Sequence, residues 1–321
     1  MIRKILAFRN DRFGEFLLII PALRALKQKY PEAKITLVVD SYVKDLAHCI
    51  KYADEVIIWD KREHSWLEIF RYAISLKKGK FDACVVFNPS KEFNIISFLA
   101  GIPIRVGYAR KMGHLLNRKI KDEKHLGLKH EVEYNLDLVN LLGAETNDLT
   151  LSLETNDGII LNLLSQAKFN NVDNLIAIHP WTSDPIKQWP EKFFRVLAEL
   201  ISVKLDVKII IVGAVDESKS HEKFTGFVYN NLVDLTNKTD LLQLAALLKK
   251  CKLLISCDSG PVHLASCVNT PVLAIFKSGM PGKSPLRWGP RSKGSIVIQK
   301  DDLAGLLPEE VFEKVKEVLK K

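Results

Sequence analysis

Long apolar segments are missing from this chain of 321 residues. The longest candidate, residues 16–26, is interrupted by Pro21 and Arg24, so no run reaches the roughly 20 apolar residues of a membrane-spanning helix. The opening Met1-Ile2-Arg3-Lys4 leads into only four apolar residues, and we therefore expect no secretory signal. With 47% hydrophobic and 26% charged residues, the composition is typical of a soluble globular protein, which we expect in the cytoplasm.

Cysteine is scarce, and its pattern excludes a disulfide framework. The five cysteines are odd in number and none forms a CxxC pair, so we predict reduced, buried thiols. The eight histidines show neither HExxH nor a zinc-like Cys/His spacing, and we predict no metal site. GxxxxGK[ST] and GxGxxG are also absent, which argues against P-loop kinases and ordinary dinucleotide dehydrogenases.

Positive charge is present in excess and is unevenly distributed. The formal net charge is +9, and residues 105–130 alone contain eight Lys or Arg and only two acids. Such a block predicts an anionic partner, namely a membrane surface, an acidic glycan or nucleic acid. A solvated loop with lysines on a helix surface is the alternative. Few aromatics are interleaved and no nucleic-acid-binding module is recognisable, so we do not expect nucleic acid as a partner.

Apolar strands rich in β-branched residues alternate with helical patterns through both halves of the chain. This alternation is typical of parallel sheets covered by helices on both faces. A polar stretch at residues 145–157 separates the halves. We therefore predict an α/β fold of two doubly wound domains, residues 1–155 and 156–321, facing a central cleft. Ligands are expected beyond the carboxyl ends of the strands, and the last helix is a candidate to pack back on the first domain.

The first candidate site follows the first strand and reads Arg9-Asn10-Asp11-Arg12-Phe13-Gly14-Glu15. Gly14 permits a tight turn from strand to helix, which places Glu15 in the first helical turn. The helix dipole there favours an ionised carboxylate, and such a group at the mouth of a cleft is a candidate general base. The alternative, which these residues alone favour, is an acid that only complements the helix terminus.

A second polar segment, residues 179–190, lies between an apolar strand and a helix that starts near Pro190. Its hydroxyls, loop amides and single lysine are suited to hold a diphosphate. Lys187 would act there as a mobile point charge on the leaving group. The alternative is an ordinary surface lysine beside a core tryptophan.

The most informative segment reads Asp258-Ser259-Gly260-Pro261-Val262-His263-Leu264-Ala265, directly after an apolar run. A buried strand ends at an acid, turns through Ser-Gly and opens a helix with Pro261 in its first turn. Free amides and the positive end of the helix dipole then point at one place, which suits a phosphate. Asp258 either holds the turn or meets a ribose. His263 is either structural or lies beside the phosphate or sugar.

An acidic pair ends a further strand in the sequence Gly213-Ala214-Val215-Asp216-Glu217. An acid at this strand end can accept hydrogen bonds from ribose hydroxyls. Either Asp216 or Glu217 is equally suited to cap the next helix.

Three motifs together resemble glycosyltransferase family 9, the lipopolysaccharide heptosyltransferases. The first is a strand, an Arg, a Gly-acid pair and an apolar helix with Pro and Ala-Leu, met here by residues 5–9, 14–15 and 21–23. The second, Lys-x-Trp-Pro, is met at 187–190, and the third, Asp-Ser/Thr-Gly-x-x-His-Leu-Ala, at 258–265. They occur in order at family-like distances, and the resemblance covers nearly the whole chain.

The resemblance implies a GT-B fold of two Rossmann-like domains, with the acceptor on the N-terminal one and the sugar nucleotide on the C-terminal one. It implies inverting transfer of heptose from ADP-heptose without a metal ion or other cofactor. The expected acceptor is a lipopolysaccharide core or a similar anionic glycolipid. We therefore expect a cytoplasmic enzyme that can lie peripherally on the inner leaflet of the inner membrane.

The family's functional residues fall on two sets of positions in this sequence. Glu15 matches the proposed base, and Lys187 matches the cation at the leaving group. The resemblance implies donor binding by Thr182, Ser183, Lys187, Glu217, Asp258, Ser259, Gly260 and His263. For the acceptor we expect contacts with Asp11, Arg12, Arg105, Arg110 and Lys111.

The sequence departs from the family at the proposed base, which is usually Asp. The extra methylene of Glu15 moves the carboxylate by roughly 1.5 Å. A displacement of this size can change a rate about a hundredfold, so the acceptor site has adjusted or the acceptor differs. Asp11 is a second candidate base. Two other functions stay open: a sugar-nucleotide epimerase or hydrolase of the same fold, and a non-catalytic nucleotide-sugar-binding protein.

Overall fold

The chain forms two compact units, Met1–Leu153 and Glu154–Lys321. The computed structural model describes residues 2–160, 174–215 and 231–320. Within these ranges, each unit contains one six-stranded sheet with helices packed on it, and every strand pairing is parallel. No helix in the described ranges has the length and apolarity to cross a membrane.

The first unit is built from six strands and six α-helices among its described residues. The strands are β1 (Lys4–Phe8), β2 (Lys34–Val39), β3 (Glu55–Ile58), β4 (Ala83–Val86), β5 (Ile104–Tyr108) and β6 (Arg118–Ile120). The helices are α1 (Phe13–Leu17), α2 (Ile20–Lys29), α3 (Lys44–His48), α4 (Trp66–Lys78), α5 (Lys91–Leu99) and α6 (Glu131–Asn140). The order of strands across the sheet is β3-β2-β1-β4-β5-β6.

The described part of the second unit repeats this plan. Its strands are β7 (Leu175–His179), β8 (Lys208–Ile211), β9 (Leu232–Asp234), β10 (Cys251–Cys257), β11 (Val272–Lys277) and β12 (Ile296–Lys300). Its α-helices are α7 (Glu191–Lys204), α8 (Leu241–Lys250), α9 (Gly260–Cys267), α10 (Pro285–Trp288) and α11 (Pro308–Leu319). The strand order is β12-β11-β10-β7-β8-β9.

The strand order of each sheet determines where a ligand site can form. In the first unit β1 pairs with both β2 and β4, and in the second β7 pairs with both β8 and β10. The chain winds away in opposite directions from these central pairs, which leaves a crevice at the carboxyl ends of the strands. The loops after β1 and β4, and those after β7 and β10, therefore carry the candidate sites.

The central strands are apolar because both of their faces are covered. Leu6 and Phe8 of β1 share a core cluster with Ile69 and Ala73 of α4, and all four are buried. In the second unit, Val311 and Val315 of α11 belong to the core cluster that also contains residues of β7 and β10. The apolar face of the last helix is thus buried in the core of the second unit.

The pattern of residues 15–29 predicts one continuous helix, but the structure contains two. Helix α1 ends at Leu17 and α2 begins at Ile20. Pro21 has no N–H to donate to the carbonyl of Leu17, so a continuous α-helical hydrogen-bond ladder cannot pass through it. The elements predicted from the sequence pattern do not include α3, α6 or the short edge strand β6.

The prediction of free, buried thiols is confirmed for four of the five cysteines, whereas Cys49 is partly exposed. Burial raises the pKa of Cys84, Cys251 and Cys257 to about 12. These thiols stay protonated at neutral pH, so they pack as small apolar groups and are not nucleophiles.

Candidate functional site

In the first unit, Arg9 ties together the two loops that meet at the crevice of the sheet. It follows β1 directly and is only 1% exposed. Its Nε donates to Asp11 Oδ1 at 2.7 Å, and its Nη1 lies 3.4 Å from the carbonyl oxygen of Phe87, the residue after β4. The guanidinium is therefore a structural cross-link that sets the position of the Asp11 carboxylate.

Buried charge surrounds this arginine. Arg9 Nη2 lies 3.7 Å from Glu131 Oε1, and the same oxygen lies 3.2 Å from Lys124 Nζ. Glu131 stands in the first turn of α6 and is buried, as is Lys124. Removing one partner of a buried ion pair costs about 3–5 kcal/mol, so this network holds Arg9 firmly in place.

Glu15 lies in the first turn of α1, as the sequence predicted, and is partly buried. Burial raises the pKa of its carboxyl group, and the negative charge of Asp11 raises it further, whereas Arg9 and Arg12 act in the opposite direction. A carboxylate with a raised pKa is a stronger base toward a sugar hydroxyl. The two candidate bases are therefore close enough for the negative charge of Asp11 to act on the carboxyl group of Glu15.

Three of the predicted acceptor-binding cations lie at the carboxyl ends of the strands, and a fourth does not. Arg12 precedes α1 and is exposed. Arg110 and Lys111 follow β5, which is two strands from β1 and hence about 10 Å away. Arg105 stands near the amino end of β5, where its side chain donates to the carbonyls of Ile102 and Leu115. Its guanidinium supports a loop at the other end of the sheet, away from Arg110 and Lys111.

The basic segment 105–130 is less available to a partner than its composition indicates. Most of its cations are bound within the first unit, which favours the alternative of a locally solvated, structural segment. Arg110, Lys121, Lys124 and Lys129 pair with Asp122, Glu123, Glu131 and Asp137, and Arg118 and Lys119 donate to backbone carbonyls.

In the second unit, Lys187 and Asp258 form an ion pair between the loops after β7 and β10. Lys187 Nζ lies 2.5 Å from Asp258 Oδ2, and both side chains are largely buried. Lys187 closes a short 3-10 turn, Pro185–Lys187, that Asp184 caps by accepting from the N–H of Ile186. Lys187 is therefore not an ordinary surface lysine, although the neighbouring Trp189 is a core residue as expected.

Thr182 adds a hydroxyl to this pair, since its Oγ1 lies 3.4 Å from the carbonyl oxygen of Asp258. Ser183, which follows it, is exposed. The loop is braced by Gln188, whose Oε1 accepts from the Thr182 N–H and whose Nε2 donates to the Pro180 carbonyl. The structure thus brings together Thr182, Lys187 and Asp258, as predicted for a diphosphate site.

The N-terminus of α9 lies directly after Asp258 and is not capped by a side chain. Ser259 is the N-cap residue and has extended backbone angles, but its side chain makes no capping hydrogen bond. Its Oγ lies instead 2.8 Å from Ser256 Oγ and 3.2 Å from His179 Nδ1. The Gly260 amide and the positive end of the helix dipole are therefore available to an anion.

His179 supports this turn from inside the fold. It ends β7, it is buried, and burial lowers its pKa to about 4, so the imidazole is neutral at physiological pH. A Cβ at Gly213 would lie 2.7 Å from the ring, and the φ of that glycine is +140°. Only glycine fits there without strain.

Two predicted donor-binding residues remain, His263 and Glu217, and the structure describes only the first of them. His263 is buried on α9, with its ring centre 6.1 Å from that of Trp288, so it packs beneath the segment that contains α10. Glu217, proposed for the ribose, and the alternative Asp216 lie outside the described residues.

Sequence reasoning missed a second ion pair close to Lys187. Lys283 Nζ lies 2.6 Å from Asp184 Oδ2, and this hydrogen bond lowers the pKa of Asp184. The Asp-Pro sequence at 184–185 was a usable signal for a cap. Nothing in the sequence connects it with Lys283, which comes from a turn about a hundred residues later.

Known proteins resemble this chain along most of its length. Residues 69–312 match the family model "Glycosyltransferase family 9 (heptosyltransferase)". Lipopolysaccharide heptosyltransferase 2 of Salmonella typhimurium is 24% identical over 297 residues, which cover 88% of this chain and 85% of the relative.

Two solved structures share the fold. The glycosyl transferase family 9 protein from Veillonella parvula has a TM-score of 0.84 at 21% identity, covering 99% of this chain and 97% of its own. ADP-heptose lipopolysaccharide heptosyltransferase II from E. coli has a TM-score of 0.81 at 21% identity, covering 99% and 98%. Together with the two parallel sheets, these neighbours confirm the GT-B fold class.

Proposed function

Because the chain belongs to glycosyltransferase family 9, we propose that it transfers heptose from ADP-heptose to the core of lipopolysaccharide. The family match confirms the resemblance seen in the sequence and makes the protein a glycosyltransferase of the heptosyltransferase family. Heptose, ADP and lipopolysaccharide are named for its relatives. The chemistry of the two sites supports extending them to this chain.

The observation that carries the proposal is the Lys187 ammonium group beside the uncapped N-terminus of α9. A lysine ammonium and a backbone amide at a helix N-terminus are groups that bind diphosphates. Both would also stabilise the negative charge that builds up on ADP as the glycosidic bond breaks. The same pair therefore serves donor binding and departure of the leaving group.

Glu15 is the proposed base of the first unit. As the acceptor oxygen forms its bond to the anomeric carbon, the hydroxyl proton passes to the Glu15 carboxylate. The bond from the anomeric carbon to the diphosphate oxygen breaks at the same stage, and ADP leaves with the electron pair. A single displacement of this kind inverts the configuration at the anomeric carbon, as is proposed for this enzyme.

We further propose that no metal ion or other cofactor takes part, with Lys187, the Gly260 amide and the positive end of the α9 dipole supplying positive charge at the diphosphate. The anionic acceptor would be met by Arg12, Arg110 and Lys111, which lie at the carboxyl ends of the strands. Because the acceptor's charges are phosphates and carboxylates, these cations would contribute to its capture and orientation.

A ligand-binding screen with the full-length protein tests the donor. A ligand that binds only the folded state raises the Tm, so ADP is expected to raise it more than UDP or GDP at equal concentration. Transfer from ADP-heptose to a heptose-deficient core acceptor, followed by mass spectrometry, tests the reaction. The product should be longer by one heptose, and a chelator should leave its rate unchanged.

Three results would overturn the proposal. These are a larger Tm shift with UDP or GDP, release of free heptose at the same rate without acceptor, and loss of activity in the chelator. Release without acceptor would point to the hydrolase alternative, and loss in the chelator would refute the metal-independent mechanism.

A further inference from the structure

Helix α4 exposes a second apolar stripe in addition to the one that packs into the core. Its core stripe consists of Ile69, Ala73 and Leu76, which are buried. A surface helix normally has one such stripe and is polar elsewhere. On α4, however, Trp66 is 66% exposed, Leu67 56%, Phe70 51% and Ile74 44%. This stripe of Trp66, Leu67, Phe70 and Ile74 is called the outer face of α4 below.

Cations surround the outer face. At about 100° per residue, its four side chains span roughly 100° of the helix circumference. Arg71, Lys77 and Lys78 fall inside this arc or within about 40° of it, and all three are exposed. The only acid in the helix sequence, Glu68, projects from the opposite side and pairs with Arg62 at 2.5 Å.

The neighbouring helix extends the same surface. Lys91, the first residue of α5, places its Nζ 6.0 Å from the ring centre of Trp66. Farther along α5, Phe98 is half exposed, and the Arg105 guanidinium lies 5.5 Å from its ring centre. A cation thus lies beside an exposed aromatic ring on each of the two helices.

We propose that the outer face of α4, with the adjoining end of α5, docks on an anionic membrane surface. Trp and Phe side chains enter the headgroup region of a bilayer, and Lys and Arg beside them attract acidic phospholipids. A second copy of this chain fits less well, because a two-fold contact would bring Arg71, Lys77 and Lys78 against their own equivalents. Most cations of the basic segment 105–130 pair with acids or donate to carbonyls, whereas the only acid of α4, Glu68, lies opposite the outer face. The outer face therefore offers the better electrostatic match.

The position of α4 suits this role, given the proposed function. Asn10 Nδ2, in the loop after β1, donates to the Trp59 carbonyl at 3.2 Å. Trp59 Nε1 in turn lies 3.2 Å from Glu92 Oε1, and its ring stacks on that of His64, just before α4. The N-terminus of α4 is therefore tied to the loop that contains Asp11. Docking there would hold the acceptor site beside a glycolipid embedded in the membrane.

Vesicle co-sedimentation with the full-length protein tests the docking directly. The probes are phosphatidylcholine vesicles with and without about one third phosphatidylglycerol. The double variant Trp66→Ser/Phe70→Ser is expected to lower the partition coefficient roughly tenfold or more, since two exposed aromatic anchors are removed. Lys77→Glu/Lys78→Glu should weaken binding to the anionic vesicles only. Val203→Ser, which removes an equally exposed apolar side chain from α7, is the matched control and should change nothing.

A transfer assay separates failure of the docking from failure of the proposed function. The docking variants should turn over a delipidated core oligosaccharide at the wild-type rate. They should be much slower than the wild type on the lipid-linked form of that core in anionic vesicles. If no acceptor is used at all, the proposed function fails, and the vesicle measurements still decide the docking.

Two outcomes would refute the docking proposal. One is equal vesicle binding by the wild type and the Trp66→Ser/Phe70→Ser variant. The other is a dimer in light scattering that this variant converts to a monomer, which would make the outer face a contact between copies. Because the four side chains are exposed, the variants should keep the wild-type Tm, and this can be measured before either test.

Discussion

Lys187 and Asp258 form a 2.5 Å ion pair between the loops after β7 and β10, with both side chains largely buried. Burial raises the pKa of Asp258, and the charge of Lys187 opposes that shift. The cation proposed for the diphosphate is therefore already neutralised by the protein before a donor binds. An incoming diphosphate must share Lys187 with Asp258 or replace it, so donor affinity depends on both residues.

Lys187→Met is expected to weaken ADP binding at least about tenfold, because a charge-assisted hydrogen bond is lost. It should also destabilise the second unit by a few kcal/mol, since Asp258 is left buried without its partner. The double variant Lys187→Met/Asp258→Asn should recover most of the stability but not the affinity. Calorimetric titration with ADP and urea unfolding measure the two effects. Wild-type affinity in the double variant would contradict the role of Lys187.

Glu15→Gln should lower kcat by roughly a hundred- to ten-thousandfold while leaving ADP affinity unchanged. The raised pKa of Glu15 gives this prediction a pH signature. The base must be ionised, so wild-type kcat should begin to fall at a higher pH than an ordinary glutamate would allow. In the Glu15→Gln variant, the residual kcat should no longer fall in this acidic range.

Two companion variants of Glu15→Gln test which acid is the base. Glu15→Asp keeps a carboxylate but displaces it by roughly 1.5 Å, and an intermediate loss of about a hundredfold is expected. Asp11→Asn should lower the pKa of Glu15, because a neighbouring negative charge is removed. If Asp11→Asn reduces kcat more than Glu15→Gln does, Asp11 is the base.

His179→Asn should flatten the acid dependence of stability. The folded protein holds this imidazole neutral, with a pKa of about 4, whereas the unfolded chain titrates near 6.5. Unfolding therefore takes up a proton in this window, and the contribution of His179 to stability is lost as pH falls from 6.5 to 4. The free energy involved is roughly 3 kcal/mol. Urea unfolding across the window measures it, with exposed His125→Asn as a control whose slope should match the wild type.

Gly213→Ala should destabilise the second unit by about 1–3 kcal/mol. The new Cβ would meet the ring of His179 at 2.7 Å and that of Trp181 at 3.0 Å, in a backbone conformation with a φ of +140°. Gly279→Ala is the matched control, since its φ is also positive, +73°, but nothing lies within 4 Å of the added atom. Thermal unfolding should show the larger Tm decrease for Gly213→Ala. Equal decreases would mean that the contact with His179 contributes nothing.

The sequence was sufficient for the parallel sheets and for the turn at residues 258–260, because local patterns indicate both. An apolar strand followed by an acid and a Ser-Gly turn specifies strand, loop and helix within about ten residues. The acidic residue after Gly14 could be placed in the first turn of α1 for the same reason.

The contacts that could not be predicted from the sequence are those that charged side chains make with residues far away in the chain. The basic segment 105–130 looks like a binding surface until Asp137 and Glu131, both outside it, are found to neutralise part of it. Nothing in the sequence indicates that the Arg105 guanidinium donates to the carbonyls of Ile102 and Leu115. The Lys283–Asp184 pair joins turns that are 99 residues apart, a separation at which sequence pattern carries no information.

The strand order leaves each sheet with its own crevice at the carboxyl ends of its central strands, and this has a consequence for how the enzyme can diversify. If the proposed function holds, recognition of the acceptor depends on loops of one sheet and recognition of the nucleotide sugar on loops of the other. Substitutions that retune one specificity leave the framework of the other untouched. Chimeras that exchange whole units between relatives should therefore combine the acceptor preference of one parent with the donor preference of the other.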